Sequence, residues 1–183
     1  FYDAGSRSFY SKVPIKSPKD LDGLKMRVME SNTAINMVKS LGGSPTPIAW
    51  GELYSALQQG IVDGAENNLP SFYLSRHYEV CKYFIMDEHT AVPDELLISR
   101  LVWNSLSEQE QLWVKEAAVE SSEYQKKLWK KAEEDALKNL KGEGVQFYYP
   151  DKSKFEKQVK PMYEEFNKDP VMRDLIKRIK NVN

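Results

Sequence analysis

The chain has 183 residues, 41% of them hydrophobic and 29% charged, with 26 Lys and Arg against 27 Asp and Glu for a net charge of −1. This length and balance fit one globular domain or slightly more, able to bury a sizeable core. So small a net charge sets up no field for nucleic acid or an anionic membrane, and no apolar run approaches the roughly 20 residues that span a bilayer. Cys81 is the only cysteine, so no internal disulfide forms and the redox compartment stays unread.

The first ten residues, FYDAGSRSFY, are aromatic and carry no cap. They read as the middle of a domain, so a fragment is expected and the missing signal segment carries no information on location. At 24–29, LKMRVM alternates: Leu24, Met26 and Val28 share one face, Lys25, Arg27 and Met29 the other. That pattern predicts a half-buried strand, introduced by the turn-rich SPKDLDG. NTAINMVKSLGG then spaces Ile35, Val38 and Leu41 for a helix, with Ser31 or Asn32 as N-cap and Gly42 as stop. PTPIAW predicts a short edge piece, because its prolines cannot donate to a central ladder. GELYSALQQG predicts a helix with Leu53, Ala56 and Leu57 on one face and Gly60 as stop, and IVDGA a second short strand. Strand, helix, extended piece, helix and strand in this order mark an α/β unit with largely parallel pairing.

The polar ENN at 66–68 stops that strand in this reading, and a short helix follows around 73–79. KYFIMDEHT and DELLISRLVW are further strand candidates, the second apolar enough to be central. NSLSEQEQ holds a capping box, Ser107 with Glu110 three residues on. From Glu108 the helical pattern runs to about Lys141 without Pro or Gly, a length of roughly 50 Å, which needs more than one body to pack against. GEG at 142–144 ends it, VQFYY is a strand, and two amphipathic helices broken at Asp169 and Pro170 close the chain. The expected organisation is a ligand-binding α/β lobe over 1–95, a crossing strand and long helix over 96–141, and a returning strand with C-terminal helices over 142–183.

Three constellations carry candidate chemistry. His77 and Cys81, four apart, suit a thiol nucleophile with its base only if an orienting group and an oxyanion hole exist, and no local sequence supplies them. The simpler reading is a buried thiol beside a histidine. Asp87, Glu88 and His89 would need a turn to converge on a metal, since adjacent strand residues point to opposite faces. A polar turn after a strand is the favoured reading and a hard-cation site made with backbone carbonyls the alternative, and no metal or cofactor is expected. Arg27 differs, being a cation inside an apolar strand. It is either an edge arginine lying over the surface or a guanidinium aimed into a cleft, where its fork holds a carboxylate through two hydrogen bonds. Ligands of open α/β sheets collect at the carboxyl ends of strands, where Arg27 and the stretch Glu66, Asn67, Asn68 both fall.

The run GLKMRVMESNTAINMVKSLGGSPTPIAWGELYSALQQGIVDGAENNLPSF, with RHYEV and MDEHT beyond it, resembles the substrate-binding proteins of TRAP (tripartite ATP-independent periplasmic) transporters. The resemblance covers almost the whole chain, through the long helix to Asp151, and lacks the family's N-terminal lobe segment. It implies a fragment of a two-lobed, type II periplasmic-binding-protein-like α/β fold: a lobe with a mixed sheet flanked by helices and one long inter-lobe helix. It implies a periplasmic solute-binding protein, not an enzyme, that captures a small organic acid or a sugar acid such as a hexuronate. Its partners would be the membrane permease subunits of the transporter, with a homodimer through the long helix also expected. Arg27 resembles the family's carboxylate-clamping arginine, Asn67 the amide beside it, and Arg7 a second cleft arginine. Asn68 stands where members carry proline and offers an extra amide, while Glu52 and Glu66 are expected to accept hydrogen bonds from ligand hydroxyls. A thiol hydrolase built on Cys81 and His77, or an interaction module built on the long helix, are the alternatives. A chain lacking most of one lobe is expected to bind its ligand weakly or not at all, and to expose apolar surface where the absent lobe would sit.

Overall fold

The computed structural model describes residues 1–91 and 93–182. Six strands form one mixed sheet: β1 (Ser6–Ser11), β2 (Lys25–Val28), β3 (Ser44–Pro47), β4 (Gly64–Asn67), β5 (Tyr83–Ala91) and β6 (Gln146–Tyr148), in the order β3-β2-β4-β1-β5-β6. β2 lies parallel to β3 and β4, β5 lies parallel to β6, and β1 runs antiparallel to both its neighbours. The proline-bearing β3 takes an edge, where a missing N–H breaks no ladder.

Alternation along the strands sends two apolar sets to opposite faces. Phe9, Met26, Val28 and Ile85 meet Val38 of α1 (Asn32–Ser40) and Phe155 of α6 (Lys152–Phe166). Tyr10, Ala65 and Phe84 meet Leu53 and Leu57 of α2 (Leu53–Gln59), Phe72 of α3 (Leu69–Leu74) and Leu140 of α5 (Glu108–Gly142). Helices on both faces of the sheet make the expected α/β lobe. α5 has 35 residues, about 52 Å at 1.5 Å each, and starts on the Ser107–Glu110 capping box. Its buried residues are Ala136 and Leu140, near its C-terminal end, so only its last turns seal the lobe. Two shorter helices are α4 (Arg100–Ser105) and α7 (Pro170–Lys180). Among the described residues no helix is long and apolar enough to cross a membrane.

Four local expectations change. The opening residues contain a strand, β1, between β4 and β5, although Ser6, Arg7 and Ser8 give it no alternating apolar pattern. β4 begins at Gly64 rather than ending at Ala65, so Glu66 and Asn67 are strand residues, and the ladder to β1 holds both. The helix expected around 73–79 is α3 ending at Leu74, followed by Arg76 in the left-handed region and a 3₁₀ turn at His77–Glu79. The apolar run at 94–103 is not a central strand. Asp94 makes a bridge to Tyr2, residues 95–99 have no regular structure, and α4 follows. Among the described residues no strand of the sheet lies beside that run, and an apolar stretch without a ladder partner has nothing to hold it extended.

Candidate functional site

β2 carries Arg27 between the buried Met26 and Val28, so its side chain leaves the sheet on the face of Tyr10 and α2. Only 4% of the residue is exposed. Its Nε donates to the Ile48 carbonyl at 2.8 Å, and its guanidinium lies 5.7 Å from the ring centre of Trp50. Among the described residues it has no carboxylate partner within ion-pair distance. Burial, and then the nearby Arg7, hold it below the usual arginine range. A guanidinium in proteins nevertheless stays charged, so this is a desolvated cation whose terminal nitrogens lack an anion.

Arg7 is arranged differently. It grips Glu66 through Nε on Oε2 and through Nη2 on Oε1 at 2.8 Å, and Nη2 also donates to the Glu66 carbonyl at 3.0 Å. Its Nη1 donates to Asn67 Oδ1 at 3.1 Å. Of five N–H groups, one on Nη1 remains without a partner among the described residues. Asn67 Oδ1 also accepts the Asn68 backbone N–H at 2.9 Å, which fixes the amide and leaves its NH₂ as a donor. Arg27 on β2, Asn67 on β4 and Arg7 on β1 thus each keep N–H groups able to donate.

Glu66, 2% exposed, does not stand free to meet hydroxyl groups, because Arg7 occupies both its oxygens. Burial alone would raise its pKa; His89 and Arg7 outweigh that and hold it below the usual carboxylate range. Asn68 is also engaged. Its Oδ1 caps α3 by accepting the Ser71 N–H at 2.8 Å, and its Nδ2 donates to the Ala4 carbonyl at 3.1 Å. Glu52 closes the exposed 3₁₀ turn Trp50–Glu52, and its side chain makes no hydrogen bond among the described residues.

The thiol–imidazole pair does not assemble. Cys81 is fully buried in the apolar cluster, and burial pushes its thiol up to about 12. His77 shares a 2.8 Å hydrogen bond with the Tyr10 hydroxyl, and burial together with Arg27 holds it down at about 4. No hydrogen bond joins the two side chains among the described residues.

Sequence reasoning missed Trp50 as the neighbour of Arg27, and Asp87 and His89 as the neighbours of Glu66. Asp87 Oδ2 lies 2.6 Å from His89 Nδ1, and His89 Nε2 lies 3.7 Å from Glu66 Oε2, an ion-pair distance beyond hydrogen-bond reach. Burial would lower His89; Asp87, then Glu66, raise it to about 9. Among the described residues no group of three or more His, Cys, Asp or Glu is placed to hold a metal.

Residues 1–169 match the family of bacterial extracellular solute-binding proteins, family 7 (DctP). The protein YiiZ of Salmonella typhimurium is 44% identical over 181 residues, 98% of this chain and 55% of its own length. A TRAP periplasmic solute-binding protein of Xanthobacter autotrophicus, solved with bound β-D-galacturonate, is similar at 40% identity with a TM-score of 0.94, over 100% of this chain and 61% of that one. Another from Chromohalobacter salexigens, with bound D-glucuronate, is similar at 35% identity with a TM-score of 0.95, over 98% and 61%. The chain thus spans about half the length of the curated relatives it matches.

Proposed function

The chain belongs to family 7 of the bacterial extracellular solute-binding proteins, and from that premise we propose that it supplies the arginine-bearing lobe of a protein that captures a hexuronate by its carboxylate. Such a protein works in the periplasm, hands its ligand to the membrane permease of a TRAP transporter, and performs no reaction. The observation that carries the reading is Arg27, a buried cation without an anionic partner among the described residues; Asn67 and Arg7, on the neighbouring strands β4 and β1, offer further N–H groups. A carboxylate supplies acceptors alone, so a set of donors is its complement. In this reading Arg27 and Asn67 clamp the carboxylate and Arg7 adds its last N–H. Glu66 and Asn68 hold these donors in place, and the unengaged Glu52 accepts from a ring hydroxyl. The galacturonate and glucuronate held by two similar structures favour a sugar acid over a simple dicarboxylate. The exposed Leu112, Trp113, Val119 and Leu128 of α5 support a second copy docking along that helix, which sedimentation at rising concentration tests.

D-Galacturonate, D-glucuronate, galactose and succinate are titrated against the chain by NMR or calorimetry. Saturable binding of the two uronates, none of galactose, and a loss of about thirtyfold or more for Arg27→Ala are expected, from roughly 2–5 kcal/mol for one partner of a buried charged pair. An affinity that Arg27→Ala leaves unchanged defeats the assignment.

A further inference from the structure

The ladder between β1 and β5 is broken at one place. Arg7 pairs with Thr90 and Phe9 with Ile85, so the single residue Ser8 stands opposite the four residues 86–89 of β5. Within that excursion Glu88 has φ +48, a left-handed conformation that a residue with a side chain holds at a cost of about 1–3 kcal/mol. Three contacts hold it. Ser8 Oγ accepts the Glu88 N–H at 3.1 Å, Asp87 Oδ1 accepts the Phe9 N–H at 3.0 Å, and Lys152 of α6 pairs with the Glu88 carboxylate. A carboxylate has thus replaced a strand carbonyl as the acceptor for β1.

The excursion brings together a row of alternating charges. The Asp87 side chain is 0% exposed and meets His89, whose ring lies 4.4 Å from that of Phe9 and faces Glu66, which grips Arg7. The remaining charged groups near His89 are Glu88 of its own strand, already paired with Lys152, and Glu156 of α6, which together line a cavity of about 400 Å³ beside it. With His89 protonated, two cations and two anions balance. Without Asp87, the imidazole has no partner for Nδ1, and Glu66 is left with Arg7 alone.

We propose that Asp87 is a positioning residue of the carboxylate site, holding His89 against Glu66 so that the Arg7 guanidinium stays fixed with one N–H turned to the ligand. The inference rests on the reading of Arg7 as a ligand donor. Asp87 itself touches no ligand; it acts through two side chains, and the strained backbone at Glu88 exists to deliver it.

The chain has two histidines, so their ring signals are assignable by NMR. In the wild type the Arg7 Nε–H shift is expected to follow the titration of His89 with one shared midpoint. In Asp87→Asn the His89 midpoint falls by more than about one pH unit. Arg7 Nε–H then exchanges about tenfold faster, and the D-galacturonate dissociation constant at pH 7 rises about tenfold. Asp87→Glu restores part of each. An Arg7 signal indifferent both to the His89 titration and to Asp87→Asn overturns the proposal. Should Asp87→Asn fail to fold, the wild-type co-titration alone decides. The Arg7 and His89 signals report whether Asp87 positions Arg7 whether or not the chain binds D-galacturonate, so failure of this proposal and failure of the carboxylate reading are told apart.

Discussion

The indole of Trp50 contacts both Arg27 and His77: its ring centre is 5.7 Å from the guanidinium carbon and 5.1 Å from the imidazole. One flat side chain, 43% exposed, therefore packs against the buried cation. Trp50→Ala is expected to leave the lobe folded and to weaken uronate binding by about fivefold to thirtyfold, since a desolvated cation–π contact is worth about 1–2 kcal/mol and water then competes for Arg27. Calorimetry on a Trp50→Ala and Trp50→Phe pair checks this, with Phe expected to keep most of the affinity.

The two histidines set opposite limits on stability with pH. His77, near 4 when folded against an ordinary 6.5, binds its proton more readily in the unfolded chain. Stability therefore falls as pH drops from about 6.5 towards 4, by on the order of 1–2 kcal/mol after solvent screening. His89, near 9 when folded, binds its proton more readily in the native state. Its contribution is complete below about 6.5 and lost as pH rises through 9. Urea melts across pH 4–10 are expected to show a maximum near 6–7. His89→Gln should flatten the alkaline arm and leave the acid arm in place.

Cys81 should be chemically silent in the native state. With its thiol near 12, about one part in ten thousand is thiolate at pH 8. Iodoacetamide is expected to label it only after denaturant is added. Labelling of the native chain at the rate of a free thiol would show that the apolar cluster around it opens.

Gly64 lies where β4 passes between β2 and β1. A Cβ there would sit 2.4 Å from the Tyr10 carbonyl and 2.8 Å from Met26 Cε. The backbone contact cannot yield without moving β1, so Gly64→Ala should destabilise by about 1–3 kcal/mol or more, read as a lowered Tm. Because Gly64 opens the strand that carries Glu66 and Asn67, uronate binding should weaken with it.

Much of this lobe could be read from side-chain periodicity. The strand around Arg27, both helices after it, the Ser107 cap and the break at Asp169 all rest on local patterns that the fold keeps. β1 could not be read, because its polar residues are satisfied by partners far along the chain: Arg7 by Glu66, and Ser8 by the Glu88 N–H. The apolar run at 94–103 misled for the converse reason, since composition favours a strand and only a neighbouring strand makes one. In the candidate site, Arg27 and Asn67 were visible as polar residues at strand ends. That Glu66 and Asn68 are already engaged, and that Asp87 stands behind His89, depends on tertiary contacts that no local window contains.

The looped-out residues 86–89 also bear on how this sequence can change. A deletion of three residues there would let β5 pair with β1 without interruption, remove the left-handed Glu88, and restore a backbone acceptor to Phe9. Deleting 87–89 would remove Asp87 and the His89 imidazole together. Selection acting on stability alone would erase the irregularity within a few steps. Its presence marks a segment where variants chosen for heat resistance and variants chosen for ligand capture should diverge.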